Sequence, residues 1–250
     1  MSTLRPASSE DRSLGLEPVA VAREVAIDLP DGSVVNLGIG MPQRVGEMIP
    51  RGREVILQAE NGVIGIGANA TDEQQDMDLI DAGKRPITLV EGASIVDHAQ
   101  SFALIRGGHL DACVMGAYEV SVAGDLANWS TGGAKAPAVG GAMDLALGAR
   151  EVIVLMKHLG RHGAPKIVAR CSLPLTAPGV VTRIYTELGI FQPAGDRLIA
   201  LGLATDLDEV RRLTPGITVD IHEEHVTLPR VDEEVQLPVH RRHLTHMEEN

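Results

Sequence analysis

The sequence is poor in aromatic residues, which make up 2% of its 250 residues, and it contains two cysteines. Hydrophobic residues still make up 44% of the chain, so a chain of this length can bury a substantial core built from aliphatic side chains. Cys113 and Cys171 stand in apolar surroundings without CxxC spacing. Neither a disulfide scaffold nor a zinc site is therefore expected, and a reducing cytoplasm is the expected compartment.

Positive charge is also scarce, because 22 Lys and Arg residues face 34 Asp and Glu residues for a net charge of −12. A nucleic-acid-binding surface needs clustered Lys and Arg, so nucleic acid is not an expected partner. The opening segment "MSTLRPASSEDRSLGLEP" lacks the apolar run of a signal peptide, and no later run is long enough to span a membrane. The segments "HEEH" (222–225) and "HRRHLTH" (240–246) resemble metal ligands in composition alone, and we expect no metal site.

Apolar, β-branched runs alternate with amphipathic segments along most of the chain. Strands are predicted at 33–40, 54–59, 85–90, 110–122 and 151–156, and helices at 19–29, 41–49, 94–106 and 142–150. This alternation predicts an α/β fold with an open, mainly parallel sheet and helices on both faces, followed after residue 176 by a smaller mixed β/α part. We expect a flexible arm over residues 1–17, one domain over 18–227 and a polar tail over 228–250.

The stretch "EVILQAENGVIGIG" (54–67) ends a buried strand in a carboxylate, Glu60, followed by an Asn-Gly turn. One explanation is a dinucleotide fold, in which Gly38 and Gly40 follow a strand and Glu60 is the ribose contact about 20 residues later. Gln43 occupies the place of the third glycine, which weakens that explanation. A second explanation is a nucleophile, since the carboxyl ends of parallel strands face the ligand crevice. A solvated strand end is the third.

Seven blocks favour the second explanation: "VNLGIGMP", "ENGVIGIG", "DLIDAGK", "SFALIRGGHLD", "GDLANW", "VGGAMDL" and "CSLPLT". In this order and at these spacings, over roughly residues 20–222, they resemble the β subunit of family I CoA-transferases, the class of the 3-oxoacid and 3-oxoadipate CoA-transferases. The segments "PAVGGAMDLALGAR" and "TRIYTEL" are more similar to the 3-oxoadipate enzyme. The chain departs from the family at Ala59, where Ser is usual.

The resemblance implies that Glu60 is the catalytic nucleophile and carries CoA as a thioester between succinyl-CoA and a 3-oxo acid. CoA is then a substrate and a covalent intermediate, and no separate cofactor is expected. The resemblance also implies an α-subunit partner, in a heterodimer or α2β2 assembly. Further contacts with substrate, CoA or the oxyanion are expected at Asn61, Gly62, Asn128, Gly140 and Gly141. An NAD-binding oxidoreductase and a non-catalytic member of the fold are the alternatives.

Overall fold

The computed structural model describes residues 15–133 and 139–228. Its strands are β1 Ser33–Leu37, β2 Val55–Gln58, β3 Val63–Asn69, β4 Ile87–Ile95, β5 Leu110–Met115, β6 Glu119–Ser121, β7 Leu126–Ala127, β8 Ala149–Leu155, β9 Ile167–Val168, β10 Val181–Thr186, β11 Gly189–Pro193, β12 Arg197–Leu203 and β13 Thr218–Thr227. Its α-helices are α1 Pro18–Asp28, α2 His98–Arg106, α3 Ala142–Gly148 and α4 Leu207–Leu213, and 3₁₀ helices cover Met41–Met48 and Arg161–Gly163.

Ten strands form one sheet in the order β13-β12-β11-β10-β8-β5-β1-β2-β3-β4. The five central strands β10, β8, β5, β1 and β2 all pair in parallel. On one side of them β3 and β4 add antiparallel strands, and on the other side β11 runs antiparallel to both of its neighbours. The predicted α/β fold with a mainly parallel centre and a mixed carboxyl-terminal part is confirmed.

The central strands are buried on both faces because helices cover each side of the sheet. In β5, Cys113 and Met115 pack into one core with residues of α2, α3 and α4, whereas Ala112 and Val114 point to the opposite core, which contains α1. Successive side chains of a strand alternate between faces, so a strand between two cores reads as a continuous apolar run. The helices of the described residues are too short and too polar to cross a membrane.

Packing reaches slightly beyond the domain borders predicted from sequence. Leu16 is buried and donates its amide to the Glu187 carbonyl at 2.7 Å. Leu228 is also buried, and its amide donates to the Leu203 carbonyl at 2.8 Å. Most of the predicted arm and tail lies outside the described residues, so their flexibility stays a prediction.

Candidate active site

Glu60 lies in a tight turn that joins β2 to β3 at the carboxyl edge of the parallel strands. The Gly62 amide donates to the Ala59 carbonyl at 3.0 Å, and the Ala59 amide donates to the Val63 carbonyl at 2.8 Å. Gly62 has φ +115, and a Cβ there would lie 2.1 Å from the Val96 carbonyl oxygen, so only glycine fits. The turn therefore fixes where the Glu60 side chain leaves the backbone.

The glycines that follow the turn serve the sheet. We expected Gly65 and Gly67 to make room for a substrate, and that interpretation is wrong. A Cβ on Gly65 would lie 3.0 Å from Ala93, and one on Gly67 would lie 2.6 Å from the Thr88 hydroxyl oxygen. Both neighbours belong to β4, so these glycines let β3 and β4 pair closely.

Gly141, which precedes α3, lies directly against the Glu60 carboxylate. A Cβ built on Gly141 would be 2.2 Å from Glu60 Oε2 and 2.9 Å from Phe102 Cζ. Gly141 is buried and has φ −79, so the space, and not the backbone conformation, demands glycine. Its neighbour Gly140 has φ +59, and nothing lies within 4 Å of the position that a Cβ would take there. The predicted approach of this loop to Glu60 is thus found at Gly141.

The surroundings of Glu60 disfavour its charged form. Burial is the largest cause that raises the pKa of Glu60, and the nearby Asp144 carboxylate raises it further, whereas His98 acts in the opposite direction. A carboxylate that is partly stripped of water is less stabilised as an anion than one at the surface. Such groups with a raised pKa are typical of reacting carboxylates.

One face of α2 forms a wall beside the site. His98, Phe102 and Arg106 are spaced four residues apart and share this face. The Phe102 ring lies between the other two: its centroid is 4.7 Å from that of His98 and 5.5 Å from Arg106 Cζ. Arg106 Nε donates to Asp144 Oδ1 at 2.7 Å. We expected Arg106 to satisfy the carbonyl groups at the end of its helix; instead it joins α2 to α3.

A buried polar cluster holds the end of β2 just before Glu60. Asn36 Nδ2 donates to the Gln58 carbonyl at 3.0 Å and to Gln58 Oε1 at 2.7 Å. Gln58 Nε2 in turn donates to the Ala59 carbonyl at 2.8 Å and to Ser101 Oγ at 3.0 Å. Asn36, Gln58 and Ser101 are all buried, and because their polar groups are satisfied they can fix this strand end in one arrangement.

The other predicted contact residues have structural bonds of their own. Asn61 Nδ2 donates to the Ile80 carbonyl at 2.8 Å. Asn128 Nδ2 donates to the Gly116 carbonyl at 3.2 Å, and Asn128 Oδ1 accepts from the Thr176 hydroxyl at 2.5 Å. Contacts of Asn61 and Asn128 with a substrate stay predictions.

The segment proposed for dinucleotide binding is occupied by its own side chains. The Gly40 amide donates to Gln43 Oε1 at 3.0 Å, and Gln43 Nε2 donates to Asp81 Oδ2 at 2.8 Å. The segment forms a 3₁₀ helix and not the α-helix whose amides would bind a pyrophosphate. The described residues also contain no group of three or more metal-ligating side chains; the segment 240–246 lies outside them.

Sequence reasoning missed the roles of His98, Phe102 and Gln58. The spacing of His98, Phe102 and Arg106 along one helical face was a visible signal, because i, i+4 and i+8 residues are neighbours on a helix. No comparable signal marks Gln58, whose partners lie 22 and 43 residues away in the sequence.

Comparison with known proteins adds independent findings. The family model described as coenzyme A transferase matches residues 19–221. The chain is 46% identical over 202 residues to the B-type subunit of 3-oxoadipate CoA-transferase from Pseudomonas putida, covering 80% of this chain and 94% of that protein. It is 50% identical over 171 residues to the B-type subunit of a probable succinyl-CoA:3-ketoacid coenzyme A transferase from Bacillus subtilis, covering 68% of this chain and 79% of that protein.

Solved structures agree on the fold. The chain is similar to an acyl-CoA transferase of Escherichia coli O157:H7, solved as a thioester complex with CoA, with a TM-score of 0.67 and 20% identity. The match covers 91% of this chain and 44% of that one, so this chain spans less than half of the larger polypeptide. Identity at this level shows a shared fold only.

Proposed function

Because the chain belongs to the coenzyme A transferase family, we propose that it is the catalytic β-type subunit of an enzyme that moves CoA from succinyl-CoA to a 3-oxo acid. The preferred acceptor is 3-oxoadipate, in keeping with the similarity to the Pseudomonas putida protein. The similarity to the Bacillus subtilis protein favours a 3-ketoacid such as acetoacetate as the alternative acceptor. The comparisons give no support to the NAD-dependent alternative.

The observation that carries this proposal is the position of Glu60: a half-buried carboxylate fixed in a turn, with Gly141 against its oxygen. Covalent catalysis by a carboxylate suits a transfer between two acids, because each step exchanges one activated acyl group for another. Water would hydrolyse these intermediates, so a reacting carboxylate should be shielded. Partial burial of Glu60 meets that requirement.

The proposed reaction proceeds in two matching halves. A Glu60 carboxylate oxygen attacks the thioester carbonyl of succinyl-CoA, which forms a mixed anhydride and releases CoA thiolate. The thiolate attacks the glutamyl carbonyl, so that Glu60 carries CoA and succinate leaves. The acceptor carboxylate then attacks this glutamyl thioester and releases the thiolate again, which attacks the acceptor carbonyl and regenerates the Glu60 carboxylate. No net proton transfer is required in either half.

Each of these steps passes through a tetrahedral oxyanion, which needs hydrogen-bond donors in fixed positions. The Gly62 amide is already used by the turn, since it donates to the Ala59 carbonyl. We therefore assign the oxyanion contacts to the amides of Asn61 and Gly141, one on each side of the Glu60 carboxylate. Gly140, with open space around it, would admit the substrate beside Gly141.

The proposed partner is a CoA-transferase α subunit, because the relatives at 46% and 50% identity are both named as the B-type subunits of their enzymes. Exposed apolar side chains near the site support a partner surface there: Met143 and Leu147 on α3 are 40% and 67% exposed, and Ile95 at the end of β4 is 67% exposed. Such side chains are typical of surfaces that a partner covers. We expect the isolated chain to be a poor transferase.

The test uses the complex reconstituted with its α subunit. The complex is incubated with succinyl-CoA without an acceptor, reduced with borohydride and analysed by peptide mass spectrometry, and we expect reduction at Glu60. Glu60→Gln should abolish both the modification and turnover. The control Glu54→Gln changes an exposed carboxylate just before the same strand and should keep both. Turnover with an unmodified Glu60 would contradict the proposal.

A further inference from the structure

An open cavity of about 420 Å³ lies along α2, lined by His98, Ala99, Phe102 and Arg106. These residues share the helical face that forms the wall beside Glu60. The reaction steps proposed above use none of their side chains. The cavity therefore offers space for the part of a substrate that does not react.

The Phe102 ring connects this cavity to the reacting carboxylate. Phe102 Cζ and Glu60 Oε2 both lie within 3 Å of the same point, the Cβ position of Gly141, so the ring edge and the carboxylate are neighbours. At its other side the ring contacts His98, with centroids 4.7 Å apart and planes tilted by 56°. A substrate that reacts at Glu60 and extends over Phe102 would reach His98.

The two cationic side chains of this wall differ in what already binds them. Arg106 is paired with Asp144 at 2.7 Å and lies over the Phe102 ring. The ring nitrogens of His98 make no hydrogen bond to any residue in the described ranges 15–133 and 139–228. His98 is exposed, so its imidazole N–H remains available to a ligand. Its electrostatic influence on Glu60 shows that it is close enough to act on that site.

Dicarboxylic acids need such a group more than monocarboxylic acids do. Succinate and 3-oxoadipate each carry a second carboxylate, whereas acetoacetate carries only the one that reacts. That second charge would enter a site that already holds Glu60 and Asp144, in a chain with a net charge of −12. A local donor must offset this repulsion, because hydrogen bonds to an ionised carboxylate are about twice as strong as neutral ones.

We propose that His98 binds the distal carboxylate of the dicarboxylic substrates across the Phe102 ring and so selects diacids over monocarboxylic 3-oxo acids. This inference rests on the proposed function. It makes His98 a specificity-determining residue that does not take part in bond making.

The test isolates the second half of the reaction. The reconstituted complex is converted to the glutamyl thioester with saturating succinyl-CoA, desalted, and mixed with either 3-oxoadipate or acetoacetate. Loss of one hydrogen bond to a charged group corresponds to about a tenfold effect or more. We therefore expect His98→Gln to lower kcat/KM for 3-oxoadipate by about tenfold or more, with a change below about twofold for acetoacetate. His98→Lys should recover part of the loss.

The outcomes separate this inference from the proposed function. Gln100→Ala changes an exposed residue of the same helix turn outside the cavity and should behave as the wild type with both acceptors. Equal losses for both acceptors in His98→Gln, or no loss for either, would overturn the role of His98 while the thioester still forms. Failure of the wild-type complex to form the thioester at all would overturn the proposed function and this inference together.

Discussion

The contact between Gly141 and Glu60 leaves no room for a methyl group. In Gly141→Ala the new Cβ would lie 2.2 Å from Glu60 Oε2 and 2.9 Å from Glu60 Cδ. Non-bonded carbon and oxygen atoms come no closer than about 3.3 Å without repulsion, so the carboxylate would have to move by about 1 Å. Because φ at Gly141 is −79, alanine adds no backbone strain. The perturbation therefore falls on the position of the carboxylate.

A displacement of this size at a reacting group can cost about 100-fold in rate, which corresponds to about 2.7 kcal/mol in the activation barrier. We expect Gly141→Ala to slow formation of the glutamyl thioester from succinyl-CoA by about 100-fold, measured by rapid quenching of the reconstituted complex. The unfolding temperature should stay within about 4 °C of the wild type.

Gly140→Ala provides the matched comparison, because it adds the same methyl group one residue earlier. Nothing lies within 4 Å of that Cβ position, but φ is +59, so alanine there costs about 1 kcal/mol of stability. We expect a lower unfolding temperature with a much smaller loss of rate than in Gly141→Ala. Wild-type thioester formation in Gly141→Ala, or an equal loss of rate in the two variants, would refute the argument that this contact positions the carboxylate.

Two further predictions concern pH. Glu60 must be ionised to attack, and its pKa is raised by burial and then by Asp144, so the rate of thioester formation should fall with decreasing pH at a higher pH than for an ordinary glutamate; Asp144→Asn removes one cause, and its rate profile should move toward lower pH, whereas an unchanged profile would contradict the coupling. Burial lowers the pKa of His158 to about 4, so between about pH 6.5 and pH 4 the unfolded chain binds a proton that the folded chain does not, and about 3 kcal/mol of stability should be lost over that range. His158→Gln should be less stable at pH 7, since His158 bonds the Thr186 and Thr214 hydroxyls, but urea titrations at pH 7 and pH 4.5 should show a flatter dependence than the wild type; equal slopes would contradict the assignment.

The order of elements was predictable because strands buried on two faces read as uninterrupted apolar runs, as in β5 and β8. The hairpin after Glu60 was not predicted, although Asn-Gly after an apolar run is a strong hairpin signal. The glycines of "VIGIG" suggested a ligand loop, but they serve strand pairing with β4. A glycine marks a close approach without telling what approaches.

The contacts that shape the site could not be predicted, because they join residues far apart in the sequence. Glu60 and Gly141 are 81 positions apart, and the partner of Arg106 is Asp144 on another helix. Neither pair has a spacing or a composition that marks it. Such contacts follow from the way α2 and α3 pack over the carboxyl edge of β2, which is a property of the whole fold.

The structure also explains how the site can do without the hydroxyl that is usual before the nucleophile. Ala59 is 5% exposed, so a serine hydroxyl there would need a buried partner. The backbone of Ala59 already makes three bonds: its amide donates to Val63, and its carbonyl accepts from the Gly62 amide and from Gln58 Nε2. Gln58 is in turn oriented by Asn36 and Ser101. The backbone and the buried amide of Gln58 thus set the direction of Glu60, so the side chain at position 59 is not needed to aim it.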